Sequence, residues 1–140
     1  MNIRFAVALV VLMPSLAVFA QNQASQIPTG AKVFIEPMPN GFDTYLKAAI
    51  EKKKVPVVLV ADKSTAQFDV TGASESQKAG AAKIILTGDW HSTEDASIQV
   101  ANLASGEVVF AYSVHEQSSN RGRQSAAESC AKHLKEKIGR

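Results

Sequence analysis

From Ala96 to His115, apolar and polar residues alternate with a period of two. Ala96, Ile98 and Val100 interleave with Ser97, Gln99 and Ala101. Val108, Phe110, Tyr112 and Val114 interleave with Val109, Ala111, Ser113 and His115. This period marks strands with one buried face. The two apolar sets share a face only if Val100 lies opposite Phe110 and Ile98 opposite Tyr112. The connection is then the three-residue loop Ala104-Ser105-Gly106, whose glycine suits the left-handed position after a type I turn. A slip of one residue would bury Gln99 and Ser113 and expose Phe110, so the register is strongly specified.

The rest of the chain reads in the same way. Lys32 to Glu36 is a short β-branched and aromatic run stopped by Pro37, a first strand. Phe42, Tyr45, Leu46, Ala49 and Ile50 recur at helical spacing, with Asn40 as N-cap and Lys52, Lys53 and Lys54 at the negative end of the helix dipole. The lysines read as a solvated helix end or, alternatively, an anion or phospholipid patch. Val55 to Ala61 is apolar on both faces and reads as an interior strand parallel to the first. Ala66, Phe68 and Val70 alternate with Gln67, Asp69 and Thr71, another strand. Ala73 to Ala81 is small and polar and reads as a mobile loop, Ala82 to Thr87 as a strand, and Asp89 to Asp95 as a connection. Ser125 and Glu128 have capping-box spacing ahead of a stripe of Ala127, Ala131, Leu134 and Ile138, with Cys130 at its edge as a buried small hydrophobe. The order β-α-β-β-β-β-β-α implies an α/β (α+β) two-layer sandwich, a mixed sheet of about six strands with two helices on one side.

Composition narrows the class. Residues 1–20 combine Arg4, an apolar core and a small-x-small site ending at Ala20, and read as a secretory signal peptide. The rival is an uncleaved anchor, for which the run is short and interrupted by Pro14. Residues 21–30 read as a flexible lead and 31–140 as a single domain. The expected product is periplasmic or secreted, with no stable membrane anchor after cleavage. The formal charge of +2 gives no electrostatic case for nucleic acid. Cys130 is the only cysteine, so neither an internal disulfide nor a cysteine zinc cluster can form.

The string Ala66-Gln67-Phe68-Asp69-Val70-Thr71-Gly72, the hairpin Ala96 to Ala111 with Gly106-Glu107-Val108-Val109-Phe110-Ala111, and the closing stretch Ser125 to Ile138 together resemble a known group. It comprises the curli-secretion lipoprotein (CsgG-like) and penicillin-binding-protein activator (LpoB-like) families, with a layout also similar to the amino-terminal domain of TolB. The likeness spans Lys32 to Ile138 and rests on structural motifs. Two features depart from it: no cysteine stands at the cleavage site for lipidation, and there is no room for inserted membrane-spanning hairpins. The resemblance implies a cell-envelope domain acting through protein contacts, with no catalytic residues to carry over.

No catalytic or metal-binding spacing stands out. His91, His115 and His133 lack ligand spacing, and neither a nucleophile elbow nor a phosphate loop occurs. No catalytic residue, metal site or cofactor is assigned. The candidate protein-binding residues are Trp90 and His91, beside Glu94 and Asp95, and Arg121 and Arg123, flanking a glycine. Exposed Trp is a common interface anchor, although Trp90 equally reads as a cover for the sheet end. Arg121 and Arg123 suit an anionic partner or a solvated loop. The reading is an exported, non-enzymatic envelope interaction or assembly domain, with an envelope protein as partner and self-association through a sheet edge. The alternatives are a small-ligand-binding module and a small secreted metal-dependent hydrolase.

Overall fold

The computed structural model describes residues 26–77, 93–117 and 121–139. Strand β1 spans Ala31–Ile35. Its odd-numbered side chains, Ala31, Val33 and Ile35, are buried, while Lys32 is exposed and Phe34 half-buried. Helix α1 spans Phe42–Lys52 and buries Phe42, Leu46, Ala49 and Ile50. Tyr45, expected on the same stripe, is instead 42% exposed.

The helix starts differently from expectation. Gly41 holds the N-cap position at φ +70°, following Asn40 at φ +59°. Asparagine tolerates this left-handed conformation better than most residues. Its side chain does not cap: the amide donates to the Ser74 carbonyl at 2.9 Å. Asp43 instead accepts from the Met38 amide at 3.2 Å.

Strand β2 spans Val57–Val60 and runs parallel to β1. It is an edge strand rather than the expected interior one. The sheet order is β2-β1-β3-β4-β5, and Val58 is 49% exposed. Apolarity on both faces was a poor guide because the second flank of β1 is taken by β3, Phe68–Gln77, which is also parallel to it. The ten residues of β3 continue through Ala73 to Gln77, where a loop was expected. The strand expected at Ala82 to Thr87 lies outside the described residues, which form a mixed sheet of five strands.

Strands β4, Thr93–Asn102, and β5, Val108–Gln117, form the hairpin. Thr93 to Asp95 therefore belong to a strand and not to the connection before it. The central register is as expected: Ile98 faces Tyr112 and Val100 faces Phe110. Next to that pair the ladder slips, so Ala101 pairs with Val108 and Val109 becomes the extra residue. The slip reverses the expected sides of the two valines. Val109 is 8% exposed and Val108 is 46% exposed. The turn is Leu103 to Gly106, closed by Asn102 N–H to the Glu107 carbonyl at 2.8 Å and Gly106 N–H to the Asn102 carbonyl at 2.7 Å. Gly106 does take the left-handed conformation, at φ +71°.

Helix α2 spans Gly122–Lys137, one turn longer at its start than the expected capping box allows. Ser125 is inside it, its N–H donating to the Arg121 carbonyl at 2.9 Å. Glu128 reaches across to α1, 2.6 Å from Lys52 and 3.3 Å from Lys53. Lys52 and Lys53 thus remain solvated at the helix end while pairing with the second helix. Ala126, Ala127, Cys130, Ala131 and Leu134 are buried. Their small side chains let the helix sit close to β4 and β5. Both helices pack on one face of the sheet. There Val33, Val70, Ile98 and Val100 meet Phe42, Leu46 and Leu134 in one core. The result is the expected α+β two-layer sandwich.

Candidate functional site

Among the described residues, no helix covers the opposite face of the sheet. Strand parity and the ladder registers lay out its rows. Thr71, Gln99 and Ala111 form one; Ala73, Ser97 and Ser113 the next; Glu75, Asp95 and His115 the last. The middle rows carry small side chains between larger ends, which makes a trough. One concavity of about 450 Å³ is lined by Ala73, Glu75, Asp95, Ser97, Ser113 and His115, among others. A second of about 380 Å³ adjoins it over Thr71, Gly72, Gln99 and Ala111. His115 Nδ1 pairs with Asp95 across the strands, and both side chains are about half exposed.

At the other end of this face, Asp69 is buried at 7% exposure. Lys63 Nζ bridges it at 2.7 Å to Glu36. The two carboxylates, Asp69 first, hold the Lys63 ammonium above its ordinary pKa. Asp69 Oδ2 takes that bond, and Oδ1 has no partner among the described residues.

Behind the trough, on the helix side, lies a buried polar cluster. Ser74 and Glu94 are 1% and 4% exposed. The Ser74 hydroxyl donates to Glu94 Oε1. Arg123 Nε lies 3.6 Å from the same oxygen, and an Arg123 terminal nitrogen donates to the Asn40 carbonyl at 3.4 Å. A Cβ on Gly122 would sit 3.1 Å from Glu94 Cβ, so glycine lets α2 start this close to the strand. The cluster ties β3, β4, the turn before α1 and the first turn of α2 together.

The residues singled out from sequence divide accordingly. Trp90 and His91 lie outside the described residues. Arg121 is exposed at the residue preceding α2. Arg123 is in the helix, not in a flexible loop, and its contacts to Glu94 and Asn40 hold the fold together. The sequence reading missed Ser74 and Glu94. Extending the parity of Phe68 and Val70 to Gly72 and Ser74, and of Ile98 and Ala96 back to Glu94, would have placed both on the buried face.

The other titratable groups are accounted for by packing. His133 stacks on Tyr112 at 4.2 Å between ring centres and pairs with Glu136 at 3.2 Å. Burial pushes the Cys130 thiol up to about 12, so it is neither a nucleophile nor a ready ligand at neutral pH. Among the described residues, no three His, Cys, Asp or Glu side chains are grouped to hold a metal ion, and no helix is long and apolar enough to cross a membrane.

No protein-family model and no curated sequence matches the chain. Solved structures do share its fold. A PelC dodecamer from Paraburkholderia phytofirmans superposes with a TM-score of 0.58 at 18% identity, over 82% of this chain and 93% of that one. The hypothetical protein CT253 from Chlamydia trachomatis gives 0.54 at 7% identity, over 79% and 98%. TolB from Acinetobacter baumannii gives 0.51 at 10% identity, over 76% of this chain and 28% of TolB. At these identities the likeness is one of fold. It agrees with the similarity to the TolB layout drawn from the sequence.

Proposed function

We propose that the chain is an exported, non-enzymatic domain of the cell envelope that works by protein contacts, self-association first among them. The observation that carries this reading is the sheet face that no described helix covers, with its trough, beside β5, which ends the sheet of the described residues. Phe110, Tyr112 and Val114 on β5 face the core yet are only half-buried. The strand has neither a lysine nor a proline to discourage pairing. Among the described residues Cys130 is buried, His133 stacks on Tyr112 and Arg123 is held in the buried cluster, which supports a binding role for the exposed sheet face. The fold shared with a PelC dodecamer supports repeated subunits, and the fold shared with TolB and the leader-like residues 1–20 support an envelope setting. The finer resemblance to the curli-secretion and penicillin-binding-protein activator families belongs to the same proposal.

In-cell crosslinking from a photo-reactive residue at Ser113, with Arg121 as a second site, tests it. The expected product is the protein joined to another copy of itself, or to one dominant envelope protein. Monomer alone at both sites, across repeated trials, overturns the reading. The concavity over Ala73 and Ser97 also favours a second reading, a small-ligand module, which a ligand-induced rise in melting temperature would reveal.

A further inference from the structure

Charge is divided unevenly between the two layers. Among the described residues, the helical stretches 42–54 and 121–139 carry nine Lys and Arg against four Asp and Glu. The strands and their connections, 26–41, 55–77 and 93–117, carry two against eight. The two excesses are of opposite sign; of the strand carboxylates, Glu94 and Glu116 share the core-facing side of Ile98 and Tyr112, while Asp69, Glu75 and Asp95 stand on the face away from the helices.

Each excess has a focus. On the helix side, the end of α1 meets the later turns of α2. Lys135 Nζ donates there to the Lys53 carbonyl at 2.9 Å, with Lys54 and Lys132 exposed nearby. Glu128 is already engaged by Lys52 and Lys53, so it does not offset the others. On the sheet side, Glu75 stands exposed beside the small-residue trough, with Asp95, half exposed and paired with His115, next to it. An acidic trough end and a basic helix layer on one chain are complementary between copies, not within one.

Resting on the self-association reading, we infer that the occupant of the trough is the basic helix layer of a second copy. The contact is heterologous, head to tail: the sheet face of one subunit receives the α1–α2 face of the next. Such a contact repeats from copy to copy, closing into a ring if its rotation permits and otherwise growing as a filament. Exposed Tyr45 on the helix layer supplies an aromatic anchor of the kind enriched at interfaces. An isologous sheet-to-sheet or helix-to-helix dimer would instead oppose like charges, which complementary interfaces avoid.

The test uses protein expressed from the full 140-residue sequence, with association followed by sedimentation velocity at low and high NaCl. Two double variants reverse one focus each: Glu75→Lys with Asp95→Lys, and Lys54→Glu with Lys132→Glu. The wild type is expected to associate more weakly as salt rises, by roughly tenfold or more between 50 and 500 mM, because exposed charges are screened. Each variant alone is expected to shift to monomer, and an equimolar mixture of the two to regain association, since each reversed face meets a complementary one. The neutral pair Glu75→Gln with Asp95→Asn should weaken association to an intermediate degree and guards against a folding defect, checked by circular dichroism. Variants that associate like the wild type, or a mixture that stays monomeric while both variants are folded, overturn the head-to-tail contact alone. A wild type that is monomeric at every concentration overturns the self-association reading as well.

Discussion

Three residues carry consequences that a single substitution can read. Gly72 sits on the core side of β3, where an added Cβ would lie 2.4 Å from the Ser97 carbonyl oxygen and 3.2 Å from both Ile98 Cγ2 and Met38 Sδ. The first of these is backbone and cannot step aside. Gly72→Ala is therefore expected to cost about 3 kcal/mol, measured by urea unfolding. Glu128 is held down to about 2 by its bond from Lys52, then by Gln124 and Lys53. A carboxylate depressed in the folded state contributes stability above its unfolded pKa, near 4.5, and loses it as pH falls through about 2. Partial exposure keeps this contribution within about 1 kcal/mol. Glu128→Gln should flatten the acid limb of the stability curve in that window and lower stability slightly at pH 7. Cys130, buried with its thiol near 12, should resist iodoacetamide at pH 8 in the native state and react promptly in urea. Equal rates in both states would contradict the burial.

The elements show where the sequence was legible and where it was not. The even-numbered face of β4 and the pairs Ile98–Tyr112 and Val100–Phe110 follow from alternation alone, because a one-residue slip inverts a whole face. Alternation has no means of announcing a bulge, and so it placed Val108 inside and Val109 outside. The structure expects the reverse in energies: Val109→Ala should cost about 1.5 kcal/mol and Val108→Ala under about 0.5 kcal/mol. The helix stripes of Leu46, Ala49 and Ile50 and of Ala131 and Leu134 were equally legible. The start of α2 was not, since a capping-box spacing is weaker than the tertiary contacts of Arg123 and Gly122 with Glu94. The small polar run from Ala73 was misread as a loop because polarity was weighed above parity. Ser74 is polar yet faces inward, satisfied by Glu94. Removing that partner with Glu94→Ala leaves the Ser74 hydroxyl buried without it, at an expected cost of about 2 kcal/mol. Of the candidate site, the two arginines were visible as charges. Their different placements, one exposed and one in the buried cluster, depend on contacts between residues far apart in sequence.

At the scale of the whole molecule, the two described helices shield one side of the sheet, and the described residues form a trough on the other. The cations lie mostly with the helices and the carboxylates mostly with the strands. On the proposed reading, the molecule's half-covered edge strand and its opposed charges are both met by further copies. The most direct measurement is the mass of the protein under native conditions, by native mass spectrometry across a range of subunit concentrations at low salt. A discrete multiple of the subunit mass is the result this structure predicts. A single monomer peak at every concentration would contradict a domain that acts by self-association.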